Sequence, residues 1–236
     1  MKYHRSFVRR PIAWTPPRFL VNERLMNILP VLLVFLVSVL TSVTAEAQEI
    51  SLSDGKTFSG WAGDTNGPWR IENGAFVGGS LSKTVARNEF LCTQKLYTNF
   101  VLRLKFKLSG KSGFINGGVQ LRSRRATDPP NEMIGYQADI GEPGYWGSLY
   151  DESRRNKTLA AANMVELNKV LKRDDWNEYR IRCDGKRIRL WINGFQTVDY
   201  TEPDDSIPQY GLIGLQIHGG AVAEAAYKDI MIEELP

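Results

Sequence analysis

From Phe100 to Leu108 the chain reads FVLRLKFKL, apolar and charged residues in unbroken alternation. Side chains of an extended strand point to opposite faces in turn. Phe100, Leu102, Leu104, Phe106 and Leu108 therefore share one side, and Arg103, Lys105 and Lys107 the other. This is the pattern of a half-buried antiparallel strand, and such a strand must cover its apolar face with a second layer. More strands follow. Trp69–Val77 reads as a hairpin about Asn73-Gly74. Glu178–Cys183, Lys186–Ile192 and Phe195–Tyr200 read as a meander turning at Asp184-Gly185 and Asn193-Gly194, pairs that tolerate positive φ. Gly211–His218 and Ala225–Leu235 add two more. Only Arg154–Leu171 has a helical look; it lacks good caps, and the alternative is a loop that covers something. Strands with turn signals about every ten residues predict an all-β sandwich or jelly roll.

The N-terminus obeys different rules. Lys2, Arg5, Arg9, Arg10, Arg18 and Arg24 precede an apolar run, Ile28–Val43, which ends in Ala45-Glu46-Ala47. A basic segment, a short apolar stretch and a small-x-small site make a secretory signal peptide over residues 1–47. The run is shorter than the ~20 residues a membrane helix needs; an uncleaved anchor is the alternative reading. The remaining chain, 48–236, suits one domain, secreted or periplasmic, with no stable membrane span. Six of the 30 basic and two of the 26 acidic residues lie in the leader, which leaves 24 of each beyond it. A domain of zero formal charge gives no sign of a nucleic-acid partner. Cys92 and Cys183 could pair in an exported chain or serve as small buried residues. Their spacing is not that of a metal site.

Period two also sorts polar residues. In Gly118–Ser123, Val119 and Leu121 point inward, so Gln120 and Arg122 point outward. In Gly135–Ile140, Gln137 and Asp139 share a face. In Gly211–His218, Gln216 and His218 lie opposite Ile213, Leu215 and Ile217. If these strands are neighbours, Arg122, Gln137, Asp139, Gln216 and His218 converge on one sheet face. His218 is the one histidine beyond the leader, and imidazole titrates near neutrality. It reads equally as a site base or as a solvated strand end. Asp139 and Arg122 could instead be a structural ion pair. Tyr145, Trp146 and Tyr150 sit in a Gly-rich stretch and suit sugar stacking or the edge of the core. Glu152 and Asp151 could be solvated loop acids, the more so Asp151. Arg154 and Arg155 read as solvated or paired with acids.

Leu52–Trp61 (LSDGKTFSGW) resembles the opening of the 3-keto-disaccharide hydrolase domain family, a group of secreted bacterial domains with a concanavalin-like jelly roll. Further resemblances follow in order at Trp69–Gly74, Gly117–Ser123, Gly135–Ile140, Gly147–Asp151, Trp176–Arg180, Trp191–Gly194, Gly211–His218 and Tyr227–Ile230. Together they span nearly everything after the leader. The resemblance implies two curved antiparallel sheets with the site on the concave face. Arg122, Tyr150, Gln216 and His218 match the family pattern. The pattern Glu-x-Gln is here Gln137-Ala-Asp139, which keeps an acid on the same strand face at a shifted position.

The chemistry so implied is elimination. In a 3-keto glycoside the carbonyl acidifies the C2 proton; a base removes it, the C1 substituent leaves, and water adds to the enone. The candidate catalytic residues are His218 or Asp139 as base, Arg122 or a divalent cation on the enolate, and Tyr150 or Glu152 at the leaving group. Gln137, Gln216, Trp146, Tyr145 and Glu152 would bind the carbohydrate substrate. An ordinary glycosidase needs two carboxylates at fixed separation, for which Asp139 and Glu152 are the only suggestive pair. A non-catalytic, lectin-like carbohydrate-binding module is the reading from another class.

Overall fold

The structure, a computed structural model, describes residues 48–236; the expected leader lies outside the described residues. Fifteen strands and one helical turn run in the order β1 (Ile50–Ser51), β2 (Trp61–Ala62), β3 (Trp69–Glu72), β4 (Ala75–Gly79), β5 (Glu89–Thr93), β6 (Phe100–Ser112), β7 (Asn116–Arg125) and β8 (Met133–Gly141). Then come β9 (Leu149–Glu152), β10 (Lys157–Ala160), α1 (Met164–Leu167), β11 (Asn177–Asp184), β12 (Arg187–Ile192), β13 (Phe195–Thr201), β14 (Leu212–Ile217) and β15 (Val222–Glu234).

Two antiparallel sheets form the expected jelly-roll sandwich. One has the order β13-β12-β11-β6-β15-β4-β3, with β1 also on β15; the other has the order β10-β9-β8-β7-β14-β5-β2. The alternating apolar set of β6 lies fully inside, between them. Tyr179, Ile181 and Cys183 of β11 join it from the same sheet, and Val119, Leu121, Tyr136, Ala138, Ile140, Ile213, Leu215 and Ile217 from the other. Each such aliphatic or aromatic side chain removed from water contributes about 1.5–3 kcal/mol. The hairpin at Asn73-Gly74 and the turn at Asn193-Gly194 form with positive φ at both residues, as two-residue turns that match strand twist require. The β11–β12 turn falls on Gly185-Lys186, one residue later than the Asp-Gly pair suggested.

The helical look of Arg154–Leu171 shrinks to the single turn α1, capped by the Asn163 side chain on the Val165 and Glu166 amides. Lys157–Ala160 pairs instead with β9, because Ser153 and Asn156, both at positive φ, turn the chain back into a hairpin. The cysteines are both free and buried. Cys183 points into the main core. Cys92 lies on the far face of the other sheet, beside Phe90 and Met133, so a whole sheet separates the two thiols.

Candidate functional site

Strands β8, β7 and β14 are neighbours, which meets the condition for their polar residues to converge. Gln137 stands opposite Gln120, and Asp139 opposite Gly118. Gln216 faces Gly118 from the other side, and Tyr150 of β9 faces Gln137. Gly118 matters as an absence: a Cβ there would lie 2.9 Å from the Gln137 Cγ. Without one, the Gln137 side chain crosses to reach both neighbours. Its Nε2 donates to Asp139 Oδ1 at 2.7 Å and to Gln216 Oε1 at 2.9 Å. Its carbonyl accepts from Gln120 Nε2 at 2.5 Å, and Ser123 Oγ donates to Gln120 Oε1 at 2.6 Å. All five are buried.

Over the end of this network opens a cavity of about 200 Å³, lined by Phe114, Asn116, Gln137, Asp139, Tyr145, Tyr150, Glu152 and His218. Grooves of about 490 Å³ beside Trp176 and about 720 Å³ beside Tyr210 are larger, but neither holds a buried carboxylate. Chemistry, not volume, identifies the site.

Asp139 is only 3% exposed. Burial pushes its carboxyl up to about 8; hydrogen bonds from Gln137 and Asn116 oppose the rise and the nearby Glu152 adds to it. At neutral pH it therefore carries its proton. Burial, then Glu132, raises Glu152 to about 7, against hydrogen bonds from Ser153. Burial, with Glu152 and Asp139, also raises the Tyr150 phenol. His218 is half-buried. Its Nδ1 lies 2.7 Å from the Gly219 carbonyl, which only accepts, so Nδ1 donates there and Nε2 is the nitrogen left for the cavity. The Phe114 ring meets the imidazole edge-to-face at 4.8 Å and Tyr145 at 5.5 Å, and so fixes both. One cavity thus holds a protonated carboxyl and an imidazole.

Several expected residues lie elsewhere. Arg122 does not reach this face. A β-bulge interrupts the β7–β8 register between Leu121 and Arg124, and Arg122 adopts φ +49°, which ends the period-two alternation. Its guanidinium instead clamps one end of the sandwich. Nε donates to Thr98 O at 2.6 Å, Nη1 to Gly185 O and Gln209 Oε1 at 2.6 Å each, and Nη2 to Asn99 Oδ1 at 3.1 Å. Trp146 is not at the rim; it stacks in the core on Phe106, with ring centroids 6.3 Å apart. Gln216 is on the correct face but beneath the cavity, among the hydrogen-bonded amides. Asp151 is no solvated loop acid. It is completely buried and paired with Arg154 and Arg155, and Arg155 continues to Glu202 at 2.7 Å.

Two wall residues escape sequence reasoning for different reasons. Asn116 continues the parity of Gly118 and Gln120 and is legible once the strand start is known. Phe114 precedes β7 in a connection with no periodicity. Among the described residues no three His, Cys, Asp or Glu side chains are grouped to hold a metal ion, and no helix is long and apolar enough to cross a membrane.

The 3-keto-alpha-glucoside-1,2-lyase-like domain matches residues 48–233. No curated protein matches by sequence. Among solved structures, a candidate glycosyl hydrolase of Parabacteroides distasonis is 18% identical with a TM-score of 0.61, over 80% of this chain and 94% of its own. The carbohydrate-binding module CBM66 of Bacillus subtilis is 15% identical with a TM-score of 0.57, over 74% and 96%. The carbohydrate recognition domain of Emp47p is 13% identical with a TM-score of 0.51, over 74% and 88%. At these identities the likeness is one of fold.

Proposed function

Because the chain belongs to the 3-keto-alpha-glucoside-1,2-lyase-like domain family, we propose that it cleaves 3-keto glycosides by elimination across C1 and C2, followed by hydration. The observation that supports this most is the pairing, in one cavity, of His218 Nε2 with the protonated Asp139 carboxyl. An imidazole beside a carboxyl that keeps its proton lets one site supply both a base and an acid.

His218 Nε2 takes the C2 proton. The electron pair moves onto the C3 oxygen as an enolate, which the Asn116 amide and the Asp139 hydroxyl stabilise in place of the expected Arg122. These donors are held in place before the charge develops, and a fixed dipole needs no reorganisation to stabilise it. The C1–O bond then breaks, and Glu152 or Tyr150 protonates the departing oxygen. Water adds to the enone to complete hydrolysis. A divalent cation is the other means of holding the enolate, and the assay includes an arm for it. The cavity holds little more than one ring, since drug-sized ligands need roughly 300 Å³ or more; the leaving group extends past Tyr145 and Tyr150 into solvent. The leader makes the periplasm or medium the place of action, which N-terminal sequencing of exported protein would check.

The test is product analysis of the purified domain with a 3-keto disaccharide and its unoxidised parent, with and without EDTA. We expect cleavage of the 3-keto sugar alone, and a loss of 10²-fold or more in His218→Ala, the usual contribution of a general base. Full activity in His218→Ala would overturn the base assignment. The departure Gln137-Ala-Asp139 favours one second reading, a carbohydrate-binding domain without turnover. Binding of both sugars with cleavage of neither would establish it.

A further inference from the structure

Ser123 and Gln120 do not line the cavity, yet both are buried on its side of the sheet. Ser123 arrives there only through the bulge. Counting by twos from Gln120 would put residue 122 on the site face and residue 123 in the core. Register runs from Leu121 opposite Tyr136 to Arg124 opposite Ile134, so Arg122 and Ser123 together oppose Gly135. A side chain at Gly135 would collide with Ser123 Oγ. The position is therefore built from three parts: positive φ at Arg122, the four hydrogen bonds that hold its guanidinium, and a glycine across the ladder.

Every neighbour of the Ser123 hydroxyl is an acceptor: Gln120 Oε1 at 2.6 Å, Leu121 O at 3.0 Å and Tyr136 O at 3.3 Å. The shortest contact takes its one proton. That holds the carbonyl end of Gln120 at Ser123 and turns its amide nitrogen to the Gln137 carbonyl. Gln137 must then present its own nitrogen to Asp139. An amide has two unlike ends, so a chain of amides transmits a direction.

We infer that Ser123 and Gln120 are positioning residues for Asp139, acting by setting which end of the Gln137 amide meets its carboxylate. Their role rests on Asp139 belonging to the proposed site. With Gln137 reversed, a carbonyl oxygen would face Asp139 and admit only the protonated acid. As built, the chain gives Asp139 Oδ1 a donor, which leaves the acid's proton to the other oxygen and also supports the ionised form. The other groups around Asp139 are Asn116 from β7, Tyr150 and Glu152 from β9, His218 just past β14, Tyr145 from the β8–β9 connection, the buried Tyr227 of β15 and the Tyr179 hydroxyl of the facing sheet, 3.4 Å from the Asp139 carbonyl. None of them fixes the Gln137 amide; Gln216 accepts from the same nitrogen, but its own Nε2 has no partner to set its direction.

The test needs no sugar. The Asp139 side-chain carboxyl is followed by carbon-13 NMR against pH, its signal assigned by its loss in Asp139→Asn. Ser123→Ala and Gln120→Met should each move the midpoint up by about one pH unit, tenfold in the acid constant. The double variant should move it no further, since both break one chain. A midpoint unmoved in the variants, whatever their melting temperature, overturns the inference. Should Ser123→Ala not fold, Gln120→Met decides. If the midpoint moves while the native domain cleaves no 3-keto sugar, the positioning stands and the proposed function fails.

Discussion

Replacing Asp139 with Asn should make the protein more stable at pH 8 and leave it little changed at pH 4. The Asp139 carboxyl titrates at about 8 in the fold, against an ordinary value of 3.8, chiefly because it is buried. Between those values the unfolded chain releases the proton and the native chain keeps it. The native state then binds more protons, and stability must fall as pH rises through this window. Each unit is worth 1.36 kcal/mol, so about three units at pH 7 amount to an upper bound of about 4 kcal/mol. The cavity opens to water, whose entry relaxes the carboxylate, and roughly 2 kcal/mol is a safer expectation. Asn imitates the neutral acid: its Oδ1 can still accept from Gln137, and it has nothing to ionise. Glu152 carries the same sign between 4.5 and about 7, but it is present in both proteins, so the difference between their curves reports Asp139 together with its repulsion from Glu152. Urea unfolding of both at pH 4.5, 6, 7 and 8 measures this. Parallel curves, or a less stable variant at pH 8, would refute the buried protonated carboxyl and with it the proposed division of acid and base. The same variant should lose turnover, the common cost of relieving a strained site.

Two further outcomes follow from residues whose expected role changed. Arg122→Met should lower stability by about 2 kcal/mol, because it strips four hydrogen bonds made by a buried guanidinium, although their part-buried acceptors can turn to water; a loss below about 1 kcal/mol in urea titration would sink the clamp. Dithiothreitol should leave the melting temperature unchanged, and a thiol reagent should find Cys92 and Cys183 only after unfolding, since both are buried and burial pushes Cys92 up to about 11; an unfolded, unreduced chain without reactive thiol would contradict the separation of the two cysteines.

The architecture was legible because period two and paired turn residues act locally. The alternation in β6 and the Asn-Gly pairs carry their meaning within nine residues. Parity also placed Gln137, Asp139 and His218 on one face, since β8 runs unbroken through the first two and His218 directly follows the end of β14. It failed at Arg122 for an equally local reason, one residue in left-handed backbone that no composition rule marks. Trp146 could not be placed from sequence, because a Gly-rich connection has no period and its direction comes from Phe106 across the sandwich. Asp151 looked solvated although its partners Arg154 and Arg155 are local, because the group that anchors Arg155 inside, Glu202, is far off in sequence.

The cavity is made of two kinds of material. Its floor is a lattice of amides in which Gly118 and Gly135 leave no room for change, and one altered side chain there reverses or breaks a hydrogen bond further on. Phe114 and Tyr145 belong to connections between strands, where residues can be exchanged or inserted at small cost to the sheets. Variation across relatives should thus gather at the walls. A lineage could change which glycoside it accepts many times over while inheriting the same proton chemistry underneath.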